Sequence, residues 1–358
     1  MLSNLNMNKM YKMVNLSPFI NKRSTVLTYL FMLFAIIPQV IMLFITKSYD
    51  NLIVIATAVL ACFVTEILNF INKKHVNLSI ILCLLKGTLI GFFLPADYPI
   101  FSVFFITLIT MLFIKYAFGD LKVSWINPVV LTVAICWFIG RINFPSFLVT
   151  RDFLAAKNPS LTLIQEGVFP IYAFDEKITA MFNDTTFSLF GVSIPQGYVS
   201  LFWDSQSVIP AFRFNFLTLV FAILLIACDV ITFEIPFCYF VTYLVFVKFL
   251  SPVFSGGILM QGDMLLALLT SGTLFAGFIL VQWFGTIPMT NKGKIVYGIA
   301  GGIIAFIFSG PGTTPIGSII TVLFLNILSP VIQYFENRIT KIKLTNMLRN
   351  ENAGDIGQ

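Results

Sequence analysis

Runs of about 20 apolar residues decide what this chain can fold into, because a helix of that length crosses the roughly 30 Å hydrocarbon core of a bilayer. Runs that can span cover residues 25–46, 51–71, 78–95, 100–118 and 126–141. Five more cover 211–228, 235–254, 264–284, 295–309 and 316–335. Between the two sets lies 142–210, the only stretch of soluble character, with Arg151, Asp152, Lys157, Asn158, Glu166, Asp175, Glu176, Lys177 and Asp184. The expected fold is an all-α polytopic membrane protein of about ten transmembrane helices. Its organisation reads as a basic lead (1–24), a first five-helix repeat (25–141), an external loop (142–210), a second five-helix repeat (211–335) and a polar, frayed tail (336–358).

One apolar segment is punctuated in a way that returns late in the chain. Leu84-Leu-Lys-Gly-Thr-Leu-Ile-Gly-Phe-Phe-Leu-Pro95 carries Gly87 and Gly91 and is stopped by Pro95 and Pro99. Leu268-Leu-Thr-Ser-Gly-Thr-Leu-Phe-Ala-Gly-Phe-Ile-Leu280 carries Gly272 and Gly277 and is followed by Gly285 and Pro288. Two glycine- and proline-interrupted apolar segments at corresponding places in two halves point to internal duplication, and in such folds the broken segments line the binding site.

Orientation follows from lysine and arginine in the short connections. With the N-terminus inside, the inner side collects Lys9, Lys12, Lys22, Arg23, Lys73, Lys74, Lys122, Lys292, Lys294, Arg338, Lys341, Lys343 and Arg349. Outside, the short loops carry little beyond Lys47. Both termini are therefore expected in the cytoplasm of a multi-pass cell (inner) membrane protein, with the long loop outside. Five spans per half then require the halves to be inverted relative to each other. The first 24 residues, polar and basic, read as an uncleaved lead.

Composition removes several functions. Charged residues are 11% of the chain, against roughly 25% in a soluble domain. The net charge of +6 follows from topology and implies a lipid bilayer, not nucleic acid, as partner. His75 is the only histidine, and Cys62, Cys83, Cys136, Cys228 and Cys238 sit in apolar runs without a CxxC, so metal and haem sites are not expected. Charge inside an apolar run costs about 2.5–3.5 kcal/mol on insertion scales. Glu66 and Lys86 are the charges best placed for an ion path. Lys115, Lys248 and Asp263 are expected to reach an interface.

Several motifs together resemble the RnfD/NqrB family, the membrane subunits of ion-pumping Rnf (ferredoxin:NAD) and Nqr (NADH:quinone) complexes. Asn15-Leu-Ser-Pro-Phe-Ile20 is similar to its Ser-Pro-His-Ile lead, and Thr65-Glu66 to its Thr-Glu. Leu84–Pro95 is similar to its Leu-Leu-Thr-Gly…Leu-Pro signature, Lys115–Asp120 to its Lys…Phe-Gly-Gly, and Trp125-Ile-Asn-Pro-Val129 to its Phe-Asn-Pro-Ala. Pro288–Gly298 resembles Pro-Val-Thr-Arg-Arg-Gly-Arg-Leu-Ile-Tyr-Gly, and Leu325-Asn-Ile-Leu-Ser-Pro330 resembles Met-Asn-Leu-Leu-Ala-Pro. The resemblance implies ten spans in two inverted, urea-transporter-like halves, FMN esterified to a threonine of the outer loop, Na⁺ or H⁺ movement, and other Rnf/Nqr-type membrane subunits as partners.

Departures from the family fall on its chemistry. Where the flavin-acceptor pattern ends in threonine, Asp175-Glu-Lys-Ile-Thr-Ala-Met181 places Met181, a thioether that cannot form a phosphoester. Thr179 is the nearest hydroxyl that could replace it. Family Thr-Asp-Pro is Gln282-Trp283-Phe284, the glutamate near the last span is lost around Pro315-Ile316-Gly317, and the threonine of the first signature is Lys86. Flavin, as covalent FMN on Thr179 or as non-covalent riboflavin or FMN, is expected between the halves near Gly87, Gly91, Asn127, Pro128, Gly272 and Gly277. There, glycines admit a planar ring and broken helix ends offer backbone donors. Two other readings use the same fold: a small-solute channel or transporter in which Lys86 serves an anion, and a structural subunit that has lost its covalent flavin.

Overall fold

The computed structural model describes residues 25–73, 79–117, 126–146, 149, 151–155, 159–191, 193–255, 259–260, 262–283 and 285–355. The basic lead with its Asn15–Ile20 motif, together with Lys74, His75, Phe118–Trp125, Lys157, Asn158 and Phe284, lies outside them. Among the described residues all regular structure is helical.

The first five apolar runs form α1 (Thr25–Ile45), α2 (Tyr49–Lys73), α3 (Ser79–Phe92), α4 (Ile100–Ala117) and α5 (Pro128–Ile139). Four short helices occupy the long loop: α6 (Arg151–Leu154), α7 (Pro159–Gln165), α8 (Asp175–Phe182) and α9 (Tyr198–Trp203). The later runs form α10 (Asn215–Ala227), α11 (Glu234–Ser255), a broken element of α12 (Met264–Thr270) and α13 (Thr273–Phe275) with a π-turn at Ala276–Leu280, then α14 (Asn291–Ser309) and α15 (Gly317–Asp355).

Among the described residues six helices, not ten, are long and apolar enough to cross a bilayer: Leu27–Ile45, Tyr49–Leu68, Ile100–Ala117, Glu234–Phe254, Asn291–Ser309 and Gly317–Ile342. Ile80–Phe92, Pro128–Ile139 and Asn215–Ala227 are apolar but short. At about 1.5 Å per residue each covers only some 18–20 Å. The remaining run, 264–284, is interrupted at Ser271-Gly272, where Gly272 takes φ +65. The expected frayed tail is instead a continuation of α15, because no breaker follows Pro330 before the polar end.

Packing pairs recur between the two sets. α2 lies on α3 and α4, α4 on α5, and α1 and α5 on α3. Likewise α11 lies on α12 and α14, α14 on α15, and α10 and α15 on the α13/π-turn segment. Across the sets, α1 meets α10 and α5 meets α15. Gln39 Nε2 donates to Thr218 Oγ1 over 2.9 Å at the first of these contacts. The lipid-facing shell is apolar, with Phe34, Ile71, Phe101 and Phe138 exposed. At the centre the two punctuated segments meet through aromatic rings. Phe92 stacks on Phe275 at 5.8 Å, and Phe93 packs edge-on against Phe275 at 5.5 Å and Phe212 at 6.2 Å.

The loop has a small core of its own. Val149, Leu154, Leu163, Ile164, Phe169 and Leu201 pack on Leu266 and Leu269 of α12. It is bolted to α1–α2 by a buried ion pair: Arg213 Nε and Nη2 donate to Asp204 at 2.9 and 2.6 Å, and Nη1 donates to Ser48 Oγ at 2.7 Å.

Candidate functional site

The loop and α12 of the second punctuated segment line a cavity of about 570 Å³. Its walls are almost wholly apolar and rich in rings: Phe174, Phe182, Phe187, Phe202, Trp203 and Phe216, closed below by Leu265, Leu268 and Leu269. Trp203 lies 5.9 Å from Phe174 and 5.8 Å from Phe216, centroid to centroid. Thr179 and Met181 both line it. Among the described residues no charged side chain does.

One carboxylate holds two walls of this cavity together. Asp175 opens α8 and is fully buried. Its Oδ1 accepts from Gly197 N at 2.9 Å and Thr179 Oγ1 at 3.0 Å. Its Oδ2 accepts from Ser200 N and Ser200 Oγ, both at 2.6 Å. Burial alone would raise its pKa, but the hydrogen bonds from Ser200, Gly197 and Thr179 outweigh that and hold it below the usual carboxylate value. The Thr179 hydroxyl is therefore committed to Asp175 and buried, while Met181, at the family's acceptor position, is half exposed. A phosphoester at Thr179 or Met181 does not fit that arrangement. A planar uncharged ring does fit the cavity, whose size lies inside the roughly 300–1,000 Å³ range of ligand pockets.

The six residues expected between the halves each have contacts of their own. A Cβ on Gly87 would collide with Val59, and one on Gly91 with Ile55, so both glycines serve the close approach of α3 to α2. Gly272 is pressed against the Phe212 ring and Gly277 against Phe240 and Tyr239. Asn127 links the halves: its Oδ1 caps α5 by accepting from Val129 N at 3.0 Å, and its Nδ2 donates to Leu280 O at 3.3 Å. Pro128 takes the first helical position behind that cap.

Glu66 is ion-paired rather than free. Lys115 Nζ approaches its Oε1 at 2.5 Å, joining α2 to α4, where an interfacial lysine was expected. Lys86 lies on α3 near this pair, partly buried, with no hydrogen bond or ion pair among the described residues. Asp263, also expected at an interface, is the N-cap of α12, accepting from Leu266 N and from Ser160 N, each at 3.0 Å. The Asp204–Arg213 bolt and the aromatic walls were not legible in the sequence. The only signal was opposite charges nine positions apart in a stretch full of other polar residues. The five cysteines are free, and Cys62, Cys83 and Cys136 are buried.

Among the described residues, six helices long and apolar enough to cross a bilayer define a multi-pass membrane protein. The chain belongs to the NQR2, RnfD, RnfE family, whose sequence profile matches residues 13–341. It is 24% identical over 350 residues to the D-type subunit of the Na(+)-translocating ferredoxin:NAD(+) oxidoreductase complex of Acetobacterium woodii, covering 94% of this chain and 98% of that protein. It is 23% identical over 290 residues to the D-type subunit of the proton-translocating ferredoxin:NAD(+) oxidoreductase complex of Clostridium ljungdahlii, covering 79% and 81%. With the D-type subunit of the ion-translocating oxidoreductase complex of Pectobacterium atrosepticum the identity is 23% over 337 residues, covering 89% and 95%.

Proposed function

We propose that this chain is the D-type membrane subunit of an ion-translocating ferredoxin:NAD oxidoreductase complex, assembled with other Rnf-type membrane subunits. The match across residues 13–341 carries the reading. Flavin, which supplies one- and two-electron transfer when bound, is held in the aromatic cavity without a covalent bond. The ring-lined walls favour stacking of its planar system. The thioether at Met181 and the committed hydroxyl of Thr179 speak against esterified FMN.

The ten apolar elements form two inverted five-helix repeats, with both termini in the cytoplasm of the cell membrane and the loop outside. Matching packing pairs in the two sets support this, as do the first-with-first and fifth-with-fifth contacts that a pseudo-two-fold axis requires. Na⁺ or H⁺ is the coupled ion, as in the relatives. Phe92, Phe93, Phe212 and Phe275 fill the place where a solute pore between the halves would run, which speaks against the channel reading.

Deleting the gene and assaying ferredoxin-dependent NAD reduction by membrane vesicles tests the assignment. Activity is expected to vanish and to return with the full chain. The affinity-purified complex should show flavin absorbance when native, with a dark band for this chain after denaturation. Unchanged activity on deletion, or a fluorescent denatured band, would overturn the reading as stated.

A further inference from the structure

The two walls of the aromatic cavity are built differently. On one side Phe202 and Trp203 of α9 pack on Phe216 of α10, with ring centroids 5.7 and 5.8 Å apart. α9 itself lies on α10, so this wall is fixed to a long apolar helix. On the other side Phe182 ends α8, and Phe187 ends the π-turn Asn183–Phe187 that continues it. Their rings meet each other edge-on at 6.4 Å, within the segment. Among the described residues α8 packs closely on one other helix, α9, and the π-turn on α8 and the short turn that follows it.

The second wall is tied down at two places. At its start the buried Asp175 carboxylate accepts from Gly197 N, Ser200 N and Ser200 Oγ. Further on, the chain turns back at Gly191, in a left-handed backbone at φ +63, and brings Ile194 to Asn183. Asn183 Nδ2 donates to Ile194 O at 2.9 Å, and Asn183 Oδ1 accepts from Ile194 N at 2.8 Å. The ties are unequal. The first is buried and charge-assisted, and such hydrogen bonds are about twice as strong as neutral ones. The second is neutral and only partly buried. Beyond Asn183 the segment bonds to itself: Thr185 Oγ1 donates to Met181 O at 2.6 Å and Ser188 Oγ to Asp184 O at 2.8 Å. Met181 and Phe182 are exposed.

A self-bonded unit with a strong tie at one end and a weak one at the other opens at the weak one. Local opening draws on regions with few buried apolar contacts and exposed backbone. π-turns that interrupt a helix recur at functional sites. A ring leaving the cavity passes the wall that yields first, and the Phe202–Trp203–Phe216 wall is held by its own packing.

We propose that the segment 176–187 is a flap over the aromatic cavity, hinged at Asp175 and latched by the Asn183–Ile194 pair. The proposal deepens the functional reading above and rests on the cavity as the ligand site. A ligand held there without a covalent bond leaves no faster than the latch releases, so Asn183 sets its dwell time.

The test is the rate at which a bulky, water-soluble maleimide labels Leu269→Cys in the full-length chain in lipid nanodiscs. Leu269 lines the cavity and is buried, so a thiol there is reached when the flap opens. Asn183→Ala removes both latch bonds and should speed the labelling about tenfold. Asn183→Asp sets a second oxygen against Ile194 O and should speed it as well, and it carries the test if the alanine variant does not fold. The buried native thiols of Cys62, Cys83 and Cys136 should stay unlabelled throughout. An unchanged rate at Leu269→Cys would overturn the proposal. So would labelling of those three thiols in step with it, which reports general loosening. The unsubstituted chain supplies a second readout: amide exchange should be faster across 183–187 than across α9, and the reverse order would overturn the flap. Riboflavin tests the reading beneath. Protection of the Leu269→Cys thiol by riboflavin supports flavin in the cavity, whereas no protection with the latch effect intact removes flavin from it without touching the flap.

Discussion

The two punctuated segments share the pattern Leu-Leu, Gly-Thr-Leu, Gly-Phe, yet they fold differently. The first runs as continuous helix from Ser79 to Phe92, through Gly87 and Gly91. The second breaks at Gly272 and resumes as a single turn that widens into a π-turn. What differs is the neighbour. α3 lies along α2, whose Val59 and Ile55 fill the places where glycine Cβ atoms would be, so a straight helix is the best-packed form. The second segment faces the Phe212 ring, Asn215 Nδ2 reaches Leu269 O at 2.8 Å, and Ser271 Oγ stands 3.4 Å from Thr273 N. Each of these contacts rewards an interruption. Glycine permits both outcomes, and its surroundings select one. The consequence is chemical: the straight segment buries Thr88 against its own Leu84 carbonyl, whereas the broken one gathers the Thr270, Ser271 and Thr273 hydroxyls at the break.

If the 142–210 loop holds the second segment open, cutting its bolt should act there and spare the first. Arg213→Ala leaves Asp204 buried and unpaired, and breaking such a pair costs about 3–5 kcal/mol. In nanodiscs the variant should melt well below the wild-type chain, with amide exchange rising in α12–α13 and around Gln206–Asn215 while α3 stays protected. Equal loss of protection in α3 would break the comparison.

Adding one methyl group sharpens it. Gly87→Ala should push α3 off α2 and destabilise by about 1–3 kcal/mol through overpacking. Gly272→Ala meets a left-handed backbone worth about 1–2 kcal/mol, as well as the Phe212 ring. Both variants should lose stability on chemical denaturation. A stabilised Gly272→Ala would mean that the second segment prefers to be a continuous helix.

The smallest expected effect is confined to the cover of the second segment. A carboxylate whose folded pKa is depressed contributes stability above its unfolded value, near 3.9, and loses it as pH falls through the folded value. Acidification below about pH 4 should therefore loosen α8 from α9. Trp203 emission, taken as the difference from Trp203→Phe, should shift red there while α3 is unaffected. Asp175→Asn should remove that transition.

Much of this was legible in the chain. Apolar run lengths located the six helices long enough to cross a bilayer and the three shorter apolar ones, and the loop at 142–210 stood out by charge. The Leu84 and Leu268 segments were recognisable as a pair, and Asn127-Pro128 was singled out before its cap and its bond to Leu280 were known. Run length could not say that three helices stop short, because apolar character sets what lipid tolerates and not where neighbours end a helix. Nor could it turn Lys115 toward Glu66, since a lysine near a helix end has the same sequence signature whether it reaches water or a partner.

Sequence alone determined the membrane class, the family and the absence of an esterifiable acceptor at Met181, because each depends on residue type or on order along the chain. Only the tertiary structure decided that Gly87 and Gly91 serve packing, that Thr179 is bound to Asp175, and that Ser309 and Ser318 are left without partners among the described residues. Those facts depend on which groups from distant parts of the chain meet, and a buried polar atom's energy is set by the partner it finds or lacks.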